Sequence, residues 1–148
     1  MRRISAEYLY DGGSSEPLRN AYVEVADDGT VLAVGKVENP EAEPEFHKGA
    51  IVPGFVNTHC HLELSYLKGK FRKGTGMSGF IDQINEMRDT SSMEEKKADI
   101  AFWMNEMWKR GVTAMGDISN CSDTFECKAD SPMYTRTFLE VFGTEPQD

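Results

Sequence analysis

The chain has 148 residues, 39% of them apolar, and a net charge of −9. That length fits one ordinary domain, or a small domain beside part of a larger one, and the dispersed negative charge would repel phosphate backbones, which argues against a nucleic-acid partner. No apolar run approaches the ~18 residues of a membrane span.

Met1-Arg2-Arg3 is not followed by the apolar stretch of a secretory signal. The odd, unpaired set of Cys60, Cys121 and Cys127 fits a reducing, cytoplasmic setting better than a disulfide scaffold. Arg3 to Tyr10 is rich in β-formers and closes at Asp11-Gly12-Gly13-Ser14-Ser15. "NAYVEVADDGTVLAVGKV" alternates and then reverses at Asp28-Gly29, which predicts a hairpin. The acidic "ENPEAEPEF" reads as a surface connection. Ile51 to Asn57 reads as a buried strand, and a helix is predicted to open at Ser78, with Phe80, Ile81, Ile84 and Met87 at helical spacing. Ser92-Met93-Glu94-Glu95 has the form of a capping box. The helix after it presents Ile100, Trp103, Met104, Met107 and Trp108 on one face and ends at Gly111. "VTAMGDIS" and "YTRTFLEVFG" read as two further strands. Strands separated by helices predict an α/β fold with parallel βα units over residues 51–148, after a β segment over residues 1–50.

Two of the three histidines, His59 and His61, stand one residue apart where the apolar run of that strand stops. Strand alternation sends both rings to one side, about 7 Å apart along the rise, with Cys60 facing away. Two imidazoles so placed can share one divalent ion, and the carboxyl end of a parallel strand is where such folds carry their ligands. The tripeptide by itself is a weak signal, met also at ordinary strand-to-loop junctions. Glu63 follows on the same parity, either to meet a polar group of a substrate or as an exposed loop carboxylate. Asp117 and Glu140 are acids inside otherwise apolar strands, where a carboxylate needs a partner. "KGKFRKGTG", Lys68 to Gly76, reads as a mobile basic loop, and the Cys121-x5-Cys127 spacing does not suit a zinc ribbon.

"VPGFVNTHCHLELS", preceded by "NAYVEV" and "DGTVLAVG", resembles the amidohydrolase superfamily, and within it the deaminase and chlorohydrolase-like branch. Pro53-Gly54-Phe55, Asn57-Thr58-His59 and His61 match the start of the first barrel strand, and "GVTAMGDIS" and "FLEVFG" resemble the second and third. The resemblance implies a small β-sandwich segment followed by the amino-terminal part, about three βα units, of a (β/α)8 barrel. It implies one divalent metal, zinc before iron, held in part by His59 and His61. It also implies hydrolytic deamination of an aminated heterocycle, a purine, pyrimidine or related nucleoside, by metal-activated water. The family's later ligands, two histidines and an aspartate, and its proton-moving group have no counterpart here, and His47 precedes the strand. A whole barrel takes about 250 residues. The chain is therefore expected to be the amino-terminal portion of such an enzyme, with no catalytic residue of its own and no activity alone. Its expected partners are a small-molecule substrate and either a second copy or a carboxyl-terminal partner chain. The alternative is a non-catalytic fragment or subunit that acts by association.

Overall fold

Residues 1–38, 44–88 and 90–141 are described by the computed structural model, and they divide between two units, Met1–Pro53 and Gly54–Asp148. The first unit is a four-stranded sheet of β1 (Arg2–Leu9), β2 (Ala21–Val25), β3 (Val31–Lys36) and β4 (Glu45–Ile51), in the order β3-β2-β1-β4. The β2-β3 hairpin turns where the sequence predicts. Gly29 takes a left-handed φ of 89°, and the Asp28 carboxylate accepts the Thr30 N–H at 2.9 Å.

β4 lies parallel to β1, with Ile4 opposite Glu45 and Leu9 opposite Ile51. This corrects two sequence expectations. Glu45 and Phe46, read as part of a connection, are strand residues, whereas residues 39–43 of that segment lie outside the described residues. Ile51 closes β4, its carbonyl accepting the Tyr10 N–H at 2.9 Å, and does not open the histidine-bearing strand. Ala6, Leu9 and Ala21 are the buried apolar residues of this unit.

The second unit carries an all-parallel sheet of β5 (Phe55–Cys60), β6 (Val112–Ser119) and β7 (Tyr134–Leu139), in that order. Between β5 and β6 run a 3-10 helix (Leu62–Leu67), α1 (Gly76–Met87) and α2 (Met93–Lys109), and α3 (Phe125–Ala129) precedes β7. The capping box of α2 is present: Ser92 Oγ accepts the Glu95 N–H while the Glu95 carboxylate accepts the Ser92 N–H at 2.8 Å. Gly111, at φ 84°, ends the helix and donates its N–H to the Trp108 carbonyl. Ile100 and Met104 of α2 join Leu62, Met115 and Met133 in the buried core, with Cys60, Met107 and Val112 packed around them.

Several expectations for this unit need correction. α1 begins at Gly76 rather than Ser78, and its stripe is not a core face, because Phe80 and Ile81 are exposed and the buried residue is Gln83. The 3-10 helix and α3, both short, fall in stretches for which the sequence predicts no element. β5 is not a buried strand: Phe55 and Val56 are 59% and 62% exposed. The core lies on one face of the sheet, and among the described residues no layer covers Val56 and Phe138 on the other. β7 ends at Leu139, short of the Gly143 suggested by the sequence, and residues 142–143 lie outside the described residues.

Candidate metal centre

The site begins with two glycines that let β5 lie beside β6. A Cβ on Gly54 would stand 2.3 Å from the Thr113 side chain, and one on Gly116 would stand 2.7 Å from the Thr58 carbonyl oxygen. The ladder is regular from Val56 and Asn57 opposite Ala114 and Met115, and then slips before Cys60 pairs with Asp117. In the slip the Asn57 side-chain oxygen accepts the His59 N–H at 3.3 Å. The strand ends at Cys60, between the two histidines, and His61 follows with φ −119° and ψ 82° before the 3-10 helix starts.

The two rings meet. His59 Nε2 lies 3.3 Å from His61 Nε2, with ring centroids 5.2 Å apart and planes inclined by 62°. Metal–nitrogen bonds of about 2.0–2.1 Å spanning that gap would subtend roughly 105–110° at a zinc ion, near the tetrahedral angle. The donor set and spacing therefore fit half of a tetrahedral shell. Among the described residues, no third His, Cys, Asp or Glu joins the pair.

Behind the pair, carboxylates link the ends of β5 and β6. Asp117, fully buried in β6, accepts the Leu62 N–H at 2.8 Å on Oδ1. Its Oδ2 accepts the Thr124 hydroxyl at 3.2 Å and pairs with the buried Lys128 ammonium, which also donates to Thr137 Oγ1 at 2.9 Å. Glu63 reaches the other way. It is 6% exposed and accepts from Ser119 Oγ at 2.9 Å, Asn120 N at 2.8 Å and Cys121 Sγ at 3.2 Å. All three donors meet Oε2 and come from the end of β6 and the turn after it, because the 3-10 helix breaks the strand parity that would have aligned Glu63 with His61. Glu140 lies exposed just after β7, its carboxylate accepting from Asn120 Nδ2 at 3.1 Å.

Cysteine thiolates take no part. Burial, then the nearby Asp117 charge, pushes the Cys60 thiol up to about 11, and burial with the Glu63 contact pushes Cys121 up to about 11. Cys127 is raised by burial as well. The basic loop Lys68 to Gly76 meets Gln83, which accepts the Arg72 N–H at 2.7 Å and donates to Thr75 Oγ1 at 3.1 Å and, on α1, to Gly79 O at 2.8 Å. Lys68, from the same loop, places its ammonium 3.2 Å from the Trp103 ring centre. These two side chains border a cavity of about 210 Å³ that reaches His61. A larger cleft of about 530 Å³ between α2 and α3 includes neither histidine, and the chemistry points to the smaller one. Gln83, Thr124 and Lys128 escape a sequence reading because nothing in their neighbourhood marks their partners.

No family model matches the chain. It is 29% identical over 126 residues to an aminodeoxyfutalosine deaminase of Nitratiruptor sp., covering 81% of this chain and 31% of that one. It is 29% identical over 93 residues to a 5-methylthioadenosine/S-adenosylhomocysteine deaminase of Natronomonas pharaonis, covering 63% and 22%. Among solved structures, the aminofutalosine deaminase of Helicobacter pylori in complex with methylthio-coformycin superposes with a TM-score of 0.79 at 24% identity, over 98% of this chain and 36% of that one. Atrazine chlorohydrolase from Arthrobacter aurescens, complexed with zinc, superposes with a TM-score of 0.67 at 17% identity, over 93% and 35%. The chain thus spans about a third or less of the length of these proteins. Its curated relatives are named as deaminases, and over this portion its fold matches those of a deaminase and a chlorohydrolase, in line with the resemblance drawn from "VPGFVNTHCHLELS".

Proposed function

We propose that the chain is the amino-terminal portion of a metal-dependent hydrolase of the amidohydrolase superfamily that deaminates an aminated heterocycle, a purine, pyrimidine or related nucleoside. The observation that carries this reading is the 3.3 Å approach of His59 Nε2 to His61 Nε2 at the carboxyl end of a parallel strand. A divalent metal, zinc before iron, supplies Lewis acidity and a hydrolytic water active at neutral pH when bound. His59 and His61 would hold it through neutral rings that carry their protons on Nδ1. The remaining ligands and the group that moves protons to the leaving amine come from further βα units that close the barrel, on the same polypeptide or a partner. Those units would also cover Val56 and Phe138 and wall the site from water. The β-sandwich expected of the family extends the four-stranded sheet of the first unit. Three unpaired cysteines support a cytoplasmic setting, and no helix among the described residues is long and apolar enough to cross a membrane.

The test is ammonia release from a panel of aminated purines, pyrimidines and pterins, with zinc, by the chain alone and by the chain completed with the missing units. Losing the remaining ligands removes the Lewis acid itself, so the chain alone should fall short by about 10⁶-fold or more. The completed protein should be active and should lose activity on His59→Ala. Activity of the completed protein that survives His59→Ala would contradict the assignment. A second reading, a subunit that acts only by association, is favoured by the exposed sheet face; a completed assembly that forms and releases no ammonia would support it.

A further inference from the structure

We infer that Asp117 is a positioning residue for His61, acting through the Leu62 N–H, and this rests on the reading of the histidine pair as a metal site. The peptide that follows His61 is held at both ends: its carbonyl oxygen accepts the Leu64 N–H at 3.0 Å, and its N–H donates to Asp117 Oδ1 at 2.8 Å. The β5-β6 ladder stops at Cys60 opposite Asp117, so no neighbouring strand supplies an acceptor for Leu62; the Asp117 carboxylate takes that place. Fixing this peptide fixes ψ of His61, and with it the direction in which the His61 ring leaves the backbone toward His59.

The carboxylate is itself aimed. Lys128 and Thr124 occupy Oδ2, and Thr137 holds Lys128 from β7, which leaves Oδ1 directed at Leu62. The three side chains that set the angle all follow β6, Thr124 and Lys128 at α3 and Thr137 on β7. Through them, α3 and β7 bear on a ligand they never touch. Asp117 therefore does more than bury a charge pair: it supplies the one acceptor on which the geometry of the second ligand depends.

Two neutral double variants separate this role from bulk stability. Asp117→Asn with Lys128→Met removes both charges and keeps an acceptor for Leu62. Asp117→Leu with Lys128→Met removes both charges and the acceptor at nearly the same volume. The chain and both variants are titrated with Zn²⁺ while the ring Cε1–H signals of His59 and His61 are followed by NMR, with circular dichroism as the check on folding. The expected result is an unchanged midpoint for the Asn variant and a midpoint about tenfold weaker for the Leu variant, the lower end of what groups behind metal ligands contribute. Equal midpoints for the two folded variants would overturn the inference while leaving the metal pair intact. The absence of any zinc response from His59 and His61 in the unaltered chain would overturn both. Should the Leu variant fail to fold, the Asn variant decides alone: its Leu62 amide must stay protected from hydrogen exchange with the zinc midpoint retained, and a folded Asn variant that has lost the zinc response refutes the role.

Discussion

Gly116 of β6 passes so close to Thr58 of β5 that a side-chain carbon on it would stand 2.7 Å from the Thr58 carbonyl oxygen. Thr58 is followed directly by His59, so the approach of these two residues sets where the first histidine leaves the sheet. The contact is with backbone, which cannot rotate away. Gly116→Ala should therefore destabilise the second unit by about 1–3 kcal/mol, the usual range for overpacking. Chemical denaturation followed by tryptophan fluorescence checks this, and an alanine variant as stable as the parent would show that β5 can shift at no cost.

The capping box makes α2 sensitive to acid. The backbone N–H and hydroxyl of Ser92 hold the Glu95 carboxyl below the usual carboxylate range. A depressed carboxylate contributes stability above its unfolded pKa of about 4.3, and that contribution is lost as pH falls through the lower folded value. Helix content should drop over that interval in the parent and not in Glu95→Gln, which keeps a capping side chain without the titration. Ser92→Ala should cost about 1 kcal/mol at neutral pH. Far-ultraviolet circular dichroism against pH and denaturant reads both effects.

Cys121 should behave as a poor nucleophile. Its thiol, pushed up to about 11 by burial and the Glu63 contact, stays protonated at neutral pH. Alkylation at Cys121, followed by peptide mass spectrometry, should accelerate by about tenfold per pH unit well beyond the value of about 8.5 at which an ordinary thiol levels off. A plateau near 8.5 would show that Cys121 is not buried against Glu63 in solution.

The uncovered face of the β5-β6-β7 sheet should drive association. Val56 and Phe138 are 62% and 50% exposed, and β5 and β7 are edge strands among the described residues. Sedimentation should show concentration-dependent self-association of the chain, reduced by Val56→Thr with Phe138→Ser. A stable monomer that binds no apolar dye would mean that this face is covered by other means.

The parts of the molecule legible in the sequence are those whose signal is local. The Asp28-Gly29 turn, the Ser92 capping box and the Gly111 stop each declare themselves within a few residues, and the one-residue spacing of His59 and His61 brings their rings together although the strand ends early. β4 was not legible, because its partner β1 is forty residues away and their parallel pairing leaves no hairpin signal. The face of α1 misled for a related reason: helical spacing marks an apolar stripe without saying whether anything covers it, and here Gln83, a polar residue, is the one buried. Asp117 could be marked as an acid in an apolar strand, yet its role could not be read, since Leu62, Thr124 and Lys128 converge on it only in three dimensions. Glu63 shows the limit of parity: two residues past His61, a turn of 3-10 helix had already carried its carboxylate to the end of β6.

Calorimetric titration of the chain with Zn²⁺, beside His59→Ala and His61→Ala, tests whether the two rings share a metal ion. Two imidazoles leave half of a tetrahedral shell to water, so one zinc per chain is expected, bound at micromolar strength or weaker, and lost in either variant. Zinc bound with nanomolar affinity, or binding that survives both substitutions, would contradict it.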